Sequence, residues 1–132
     1  MRISFDFDGT LDDDFDGTTN KQKKEIQSLA KKYVNEGHDV CIITKRYGHI
    51  VSKRDERIKV FQLAKELGID KVYFTNREMK FSHIINLKIE RHFENSQYEV
   101  DVINQVCKEK RHDCLIVPVE NTHWRKLLWK DI

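Results

Sequence analysis

Short apolar runs alternate with longer amphipathic segments along this chain. Each run has the length and the β-branched or aromatic content of a strand, so each run predicts one. The predicted strands are Ile3–Phe7, Val40–Thr44, Val72–Thr75, Arg91–Phe93 and Cys114–Val117. The second and fifth are apolar on both faces, which is typical of a parallel sheet that helices cover on both sides.

The segments between the strands repeat apolar residues with helical periodicity. The clearest helix carries five of them on one face: Ile26, Leu29, Ala30, Tyr33 and Val34. We expect it to begin at a capping box formed by Thr19 and Gln22 and to end before Gly37. A second helix is predicted from about Ser52 to Leu67, with Gly68 as its stop signal.

Apolar residues at helical spacing predict which helix faces enter the core. In the second helix, the residues expected to point inward are Ile58, Phe61, Ala64 and Leu67. In a later helix over 97–110, the expected inward residues are Tyr98, Val102, Ile103 and Val106. Helical segments are also predicted at 78–87 and in the tail from Thr122.

Five strands joined by helical crossovers predict a three-layer α/β/α, Rossmann-like fold around a five-stranded parallel sheet. The chain has 132 residues, 39% of them hydrophobic, with one proline and five glycines. A chain of this size buries roughly two-thirds of its surface without disulfides or a structural metal. We therefore expect a single domain over residues 1–132.

Charge and cysteine content indicate which partners and which cellular setting to expect. The 24 Lys and Arg residues nearly balance the 22 Asp and Glu residues, which argues against whole-molecule attraction to nucleic acid or anionic lipid. Cys41, Cys107 and Cys114 are odd in number and include no Cys-x-x-Cys pair, so we expect a reducing, cytoplasmic setting. No apolar run approaches the ~20 residues of a membrane span, and we expect no membrane partner.

An acidic motif follows the first predicted strand. Asp6 and Asp8 are two residues apart, so their carboxylates share one side if strand geometry persists, and Gly9 permits a sharp exit. Two like charges this close call for a counter-ion. Mg²⁺ binds through one or two carboxylates together with substrate phosphate, so the motif predicts a magnesium site.

Three other strand ends carry residues that suit the binding of a phosphate ester or of its metal ion. The second strand ends in Thr44, Lys45 and Arg46, a hydroxyl and two cations able to hold phosphoryl oxygens. Lys80 lies in the opening turn of a predicted helix, and the fourth strand leads into Glu94-Asn95. Ligands of open α/β sheets bind at the carboxyl ends of strands, where we expect all of these side chains.

Together these motifs resemble the haloacid dehalogenase superfamily of phosphatases. The resemblance rests on Asp-x-Asp-Gly-Thr at Asp6 to Thr10, on Thr44 and Lys80, and on the acidic motif at Glu94-Asn95. It implies a magnesium-dependent phosphomonoester hydrolase in which Asp6 is the nucleophile and Asp8 the general acid and base.

The same resemblance implies roles for the remaining motif residues. Thr44 and Lys80 would stabilise charge on the phosphoryl oxygens, and substrate contacts are expected at Gly9, Thr10, Lys45 and Arg46. Mg²⁺ would be held at the acidic pair and the fourth motif: Asp6, Asp8, Glu94 and Asn95.

The fourth motif departs from the family pattern, because Asn95 stands where a metal-binding Asp is expected. An amide oxygen can bind Mg²⁺ but brings no charge, and either Glu94 or Glu99 could compensate. The alternative function is therefore a catalytically weak or silent protein that binds phosphate and Mg²⁺.

Two competing motifs are weaker. The segment from Asp12 to Gly17 imitates the start of an EF-hand loop, but its twelfth position is Lys23 instead of a bidentate Glu. A receiver domain would carry its phospho-acceptor Asp after the third strand, which instead leads into Thr75-Asn76.

Short loops after the first two strands leave no room for a cap domain, so we expect an open site. Such a site admits a nucleotide, a sugar phosphate or a phosphorylated macromolecule, with a small molecule favoured, and is compatible with closure by a second copy of the chain. The segment after Thr44 is basic, which favours polyanionic substrates. Its cations are Lys45, Arg46, Lys53, Arg54 and Arg57.

Overall fold

The structure is a computed structural model that describes residues 1–12, 20–119 and 124–128. Within these residues, strands and helices alternate along the chain. The strands are β1 (Arg2–Phe5), β2 (Asp39–Thr44), β3 (Lys71–Phe74), β4 (Arg91–Glu94) and β5 (Leu115–Pro118). The helices are α1 (Asn20–Asn35), α2 (Arg57–Leu67), α3 (Phe81–Asn86), α4 (Gln97–Glu109) and α5 (Trp124–Leu127).

The five strands form one parallel sheet in the order β3-β2-β1-β4-β5. This confirms the predicted α/β fold. The chain winds outward from β1 through β2 to β3 and then crosses to the other side of β1. The topological switch point lies between β1 and β4, where open α/β sheets bind their ligands.

Two hydrophobic cores lie on opposite faces of the sheet. Along β2, Ile42 packs with buried residues of α1 and α2, whereas its neighbour Ile43 packs with those of α3 and α4. Successive strand residues point to opposite faces, so a strand that is apolar throughout serves both helical layers. The predicted three-layer arrangement follows from this.

The predicted start of α2 was wrong, and its predicted inner face was right at Ala64 and Leu67 but wrong at Ile58 and Phe61. The helix begins at Arg57 because Ser52 and Lys53 have positive φ values, 51° and 62°, and form a turn. Ile58 and Phe61 are exposed, with 56% and 50% of their surface accessible to solvent. The buried residues are Val60, Leu63, Ala64 and Leu67, which make a more regular helical stripe.

In α4 the inner face is rotated from the predicted one by about one residue. Tyr98 is 68% exposed, and Glu99 is buried in its place. Ile103 is buried as expected, but Cys107 replaces Val106 as the next buried residue. The helix places an acid inward because Glu99 faces the polar edge of the sheet described below.

Helix ends follow the predicted glycine signals where the chain is described. Gly37 and Gly68 have φ values of 86° and 79°, the left-handed conformation in which glycine carries no steric penalty. Thr19, the predicted first residue of the capping box, lies outside the described residues. None of the described helices is long and apolar enough to cross a membrane.

Candidate active site

The candidate site lies at the carboxyl ends of β1 and β4, on either side of the switch point. Phe5 pairs with Phe93 in the sheet, and the Asp6 amide donates to the Phe93 carbonyl at 2.9 Å. Asp6 and Glu94 therefore leave adjacent strands at the same level. The sheet register thus brings together two acids that are far apart in sequence.

A cavity of about 240 Å³ opens at this edge of the sheet. Its acids are Asp6, Asp8, Glu94 and Glu99. Its cations are Lys45, Arg77 and Lys80, and Asn95 and Ser96 complete the polar lining. Most of the residues predicted for the site thus share one cavity, whereas Arg77 was not predicted.

Lys80 is the centre of the cluster. Its side chain is 2% exposed, and its Nζ lies 2.7 Å from Asp6 Oδ1 and 2.7 Å from Glu94 Oε1. Its backbone amide donates to Glu99 Oε1 at 3.1 Å. Lys80 immediately precedes α3. The start of this helix therefore places the buried ammonium group between the two carboxylates.

Two buried carboxylates share this one ammonium group, and their pKa values diverge. Burial and then the Glu94 charge raise the pKa of Asp6 to about 7, against the opposing effect of Lys80. Burial acts in the same direction on Glu94, but Lys80 and His92 outweigh it and lower its pKa to about 2. Burial would lower the pKa of Lys80, yet the two carboxylates raise it above its ordinary value. The proton that this cluster takes up most readily is therefore carried by Asp6.

Behind Glu94 lies a buried polar chain that sequence reasoning missed. His92 Nε2 lies 3.0 Å from Glu94 Oε1, and Ser4 Oγ lies 2.7 Å from His92 Nδ1. Burial lowers the pKa of His92, so the neutral ring donates from Nε2 to Glu94 and accepts the Ser4 hydroxyl at Nδ1. The Ser96 amide donates to the second Glu94 oxygen at 3.2 Å. Both oxygens of Glu94 are thus held by protein groups.

Arg46, predicted to contact substrate, instead holds Asp8. Its Nε and Nη2 lie 2.9 and 2.7 Å from the two oxygens of the Asp8 carboxylate, a bidentate pair. The Arg46 guanidinium also lies over the Phe7 ring, 4.9 Å from its centroid, and donates to the Glu56 carbonyl. Asp8 is therefore fixed in orientation at the mouth of the cavity.

The two threonines of the predicted motifs support other site residues. Thr10 is fully buried and donates from Oγ1 to Asp6 Oδ2 at 3.1 Å. Thr44 is fully buried, and its Oγ1 accepts the Arg46 amide at 3.3 Å. Lys45 is the predicted substrate cation that lines the cavity, with its Nζ 3.8 Å from Glu99 Oε1.

Gly9 is required by a close approach of Asn95. Its φ is 78°, and a Cβ atom built on it would lie 2.1 Å from Asn95 Nδ2. No side chain fits there without displacing Asn95 from the cavity. The glycine of the acidic motif thus allows the close approach of the Asn95 amide in the fourth motif.

The close approach at Gly9 makes Gly9→Ala strongly destabilising. We expect this change to lower the free energy of unfolding by about 2–4 kcal/mol, through left-handed backbone strain and the clash with Asn95. Gly37→Ala is the matched control, because Gly37 has φ of 86° and nothing within 4 Å of an added Cβ. It should lose only the backbone contribution, about 1–2 kcal/mol. Equal losses in urea unfolding would contradict the assigned role of Asn95.

No protein-family model and no curated protein sequence matches this chain.

The cavity is rich in oxygen atoms, the ligands that Mg²⁺ prefers. Among the described residues, no group of three or more His, Cys, Asp or Glu side chains is placed to hold a metal ion. Mg²⁺ needs fewer protein ligands, since it binds through one or two carboxylates and keeps several waters. Glu99 Oε2 is a buried oxygen with no hydrogen-bond partner within the described part of the chain. Asp6, Asn95 and Glu99 line the same cavity and carry oxygen atoms of the kind that Mg²⁺ prefers as ligands.

Proposed function

We propose that this protein is a magnesium-dependent phosphomonoester hydrolase of the haloacid dehalogenase type, acting through an aspartyl-phosphate on Asp6. The observation that carries the proposal is the position of Lys80 Nζ, 2.7 Å from both Asp6 and Glu94, at the switch point of a parallel sheet. A buried ammonium group beside a nucleophilic carboxylate is suited to a phosphoryl group, whose oxygens carry negative charge.

Asp6 is the proposed nucleophile. Its Oδ1 and Oδ2 are oriented by Lys80 and Thr10, which leaves lone pairs on both oxygens for attack on phosphorus. Attack forms the Asp6–phosphorus bond and breaks the bond to the leaving oxygen, so one difficult hydrolysis becomes two displacements. Lys80 then neutralises the charge of the transferred group.

Asp8 is the proposed general acid and base. The bidentate Arg46 pair fixes its direction, and a positioned carboxyl group can protonate the leaving oxygen and later accept a proton from water. Glu94, held by His92 and Ser96, keeps Lys80 in place. Its role is positioning, because its Oε1 is shared by Lys80 and His92 and its Oε2 accepts the Ser96 amide.

Asp6, Asn95 and Glu99 are the side chains we propose for holding Mg²⁺, with Glu99 taking the place first considered for Glu94. When bound, the ion would offset the repulsion between the carboxylates and the incoming phosphate. Glu99 is suited to this role because one of its buried oxygens lacks a hydrogen-bond donor among the described residues.

The direct test is capture of the covalent intermediate. The protein would be mixed with p-nitrophenyl phosphate and Mg²⁺, quenched in acid and examined by intact-mass and peptide mass spectrometry. We expect one phosphoryl group on the peptide that contains Asp6. Steady phosphate release with no covalent adduct at any quench time would overturn the proposed mechanism.

Asp8→Asn separates the two chemical steps. We expect kcat on an alkyl phosphate to fall by about 10²–10⁴-fold, because an alkoxide must be protonated as it leaves. With p-nitrophenyl phosphate, whose leaving group needs no proton, the first turnover should remain fast and be followed by slow hydrolysis of the intermediate. The measurement is the burst of p-nitrophenolate in stopped flow. An equal loss of the first-turnover rate on both substrates would contradict the assigned role.

Magnesium binding should depend on pH through Asp6. A carboxyl group with a pKa of about 7 is mostly protonated at pH 6 and ionised at pH 8, and Mg²⁺ requires the ionised form. We expect the apparent Kd for Mg²⁺ to be about tenfold weaker at pH 6 than at pH 8, as measured by calorimetry. In Glu94→Gln the like charge is gone, so the same weakening should occur at lower pH. A pH-independent Kd would exclude Asp6 as a ligand.

One observation favours the alternative function, a protein that binds phosphate and Mg²⁺ without turnover. Both oxygens of Asp8 are engaged by Arg46, and a general acid must carry a proton on one of them. If this pair persists in the complex, transfer to the leaving group is blocked. Binding of phosphate and Mg²⁺ with no release of p-nitrophenolate would establish this alternative.

A further inference from the structure

A second cavity adjoins the candidate active site. It has a volume of about 210 Å³ and is lined by Tyr47, Val51, Ser52, Arg54, Glu56 and Arg77. Arg77 also lines the first cavity. At about 240 and 210 Å³, each cavity alone is smaller than the ~300–1,000 Å³ typical of small-molecule sites, whereas the two together fall within that range. A substrate that fills both would place its phosphoryl group in the first and its leaving group in the second.

The walls of the second cavity are tied together by hydrogen bonds. The Arg77 amide donates to the Lys45 carbonyl at 2.7 Å, and the Gly48 amide donates to Asn76 Oδ1 at 2.8 Å. Val51 and Arg54 exchange two backbone hydrogen bonds of 3.0 and 2.9 Å across their turn. These bonds preorganise the cavity, which reduces the entropy lost on binding.

Arg77 forms a flat cationic platform between the two cavities. Its guanidinium lies over the Tyr47 ring, 4.9 Å from the centroid, and is paired with the Glu56 carboxylate. Glu56 Oε2 also accepts the Tyr47 amide at 3.3 Å, so one carboxylate holds both members of the stack. Stacked aromatic rings and guanidinium planes are the surfaces on which proteins stack nucleobases.

The charge of the second cavity agrees with a nucleotide. Arg54 is exposed, and no carboxylate of the described residues pairs with its guanidinium. Lys45, on the side of the first cavity, has its nearest carboxylate contact at 3.8 Å. Tyr47 and Val51 add apolar area that a planar base can cover. A sugar leaving group has no flat π face with which to use the stack.

We propose that the second cavity binds the nucleoside of a nucleoside monophosphate, with the base stacked on the Arg77–Tyr47 pair, so that nucleotides are the preferred substrates. This inference rests on the proposed phosphatase function and adds its substrate class. The nucleotide could be free or the terminal unit of a strand, and the experiment below includes both.

The test compares substrates that share one phosphorylated sugar. Turnover of the four nucleoside 5′-monophosphates is measured against ribose 5-phosphate, which lacks only the base, and against a 5′-phosphorylated dinucleotide. We expect the best nucleotide to exceed ribose 5-phosphate in kcat/KM by about tenfold to hundredfold. A dinucleotide preferred over every mononucleotide would identify a strand end as the source of the nucleotide.

Variants of the second cavity should reduce that ratio. In Tyr47→Leu and in Arg54→Gln, we expect the ratio of nucleotide to ribose 5-phosphate turnover to fall severalfold toward one. The matched controls are Tyr98→Leu and Lys31→Gln, two exposed residues of α4 and α1 outside both cavities. The controls should keep the wild-type ratio. Arg54 is on the surface, so its variant remains informative even if Tyr47→Leu folds poorly.

Failure of this inference can be distinguished from failure of the proposed function. Hydrolysis of ribose 5-phosphate and p-nitrophenyl phosphate without preference for any nucleotide would overturn the inference and leave the phosphatase intact. If no ester is hydrolysed, the proposed function fails, and calorimetric binding of the same ligands decides the inference. In that case, nucleotide binding no tighter than ribose 5-phosphate binding would overturn it.

Discussion

Asp6→Asn is expected to abolish Mg²⁺-dependent release of phosphate from p-nitrophenyl phosphate, with a loss of at least about 10⁴-fold in kcat. The loss is large because the amide cannot form the aspartyl-phosphate, and the remaining groups can only orient water against the ester. Asn still offers one oxygen that can accept from Lys80, and its NH₂ group would then donate to the Thr10 hydroxyl in place of the bond that Asp6 accepts. The buried carboxylate whose pKa is raised to about 7 is also removed, so the variant should be as stable as the wild type at pH 8.

The matched control for this variant is Asp70→Asn. Asp70 is exposed and directly precedes β3, at the amino edge of the sheet, opposite the site. It should keep full activity, which excludes a general effect of losing one acid. Thermal unfolding of both variants shows whether they are folded. A folded Asp6→Asn protein with the wild-type rate would remove Asp6 from the mechanism.

Lys80→Met is expected to have the largest effect on stability, a loss of about 3–5 kcal/mol in the free energy of unfolding at pH 8. Methionine fills a similar volume but leaves Asp6 and Glu94 as two buried carboxylates without a cation. Lys31→Met, at an exposed position of α1, is the control for losing a lysine. Urea unfolding measures both losses.

The loss in Lys80→Met should depend on pH with a definite sign. In the wild type, the raised pKa of Asp6 costs stability as pH rises from about 4 to about 7. The lowered pKa of Glu94 supplies stability above about pH 4.5, which is lost as pH falls toward 2. Without Lys80 both carboxyls gain a stronger preference for protons, so the variant should be less impaired at pH 5 than at pH 8. An equal loss at pH 5 and pH 8 would show that packing, and not charge, dominates.

A second substitution tests whether unpaired charge causes the loss of stability in Lys80→Met. Glu94→Gln added to Lys80→Met removes one of the two unpaired charges, and we expect it to restore part of the lost stability at pH 8. The two sites are in contact, so their effects should not be additive. Purely additive losses would mean that Lys80 stabilises the fold by means other than the Asp6 and Glu94 charges.

Much of the site could be predicted because it depends on strand ends. Each parallel strand ends at the same edge of the sheet, so Asp6 and Glu94 were expected at that edge once their strands were identified. The structure adds that β1 and β4 are neighbours. Lys80 follows the same logic, since it begins the helix after β3. The sequence pattern therefore predicted that Asp6, Lys80 and Glu94 lie at one site. It did not predict the distances between them or which carboxyl group takes up a proton.

Side-chain partners across the fold could not be predicted in this way. Arg46 binds Asp8 and Glu56 through loop geometry that no periodicity encodes. His92 and Ser4 lie on neighbouring strands, and their pairing depends on the register of β1 with β4. A histidine in a short apolar strand was the available signal, since a buried histidine requires polar partners.

The helix faces were misassigned for a related reason. In α2, apolar residues at Ile58 and Phe61 compete with those at Val60 and Leu63, and the sequence offers two overlapping stripes. In the structure the second stripe, with Val60 and Leu63, packs into the core. Phe61 instead lies edge-on to Phe74, with ring centroids 5.5 Å apart. In α4, a buried Glu99 breaks the rule that acids point to solvent. There its Oε1 accepts the buried Lys80 amide, so the acid is not without a hydrogen-bond donor.

The strand order also determines when the candidate site can assemble as this protein folds. β1 is central, yet its neighbour β4 arrives in the chain only after β2 and β3. A nascent chain that has folded only its first three strands would leave Ile3 and Phe5 on an open sheet edge, where they invite misassembly. Asp6 would then lack its partner Glu94, which is 88 residues further along the chain. The cluster of Asp6, Lys80 and Glu94 is therefore expected to assemble only when β1 pairs with β4, the most non-local strand pairing of the sheet.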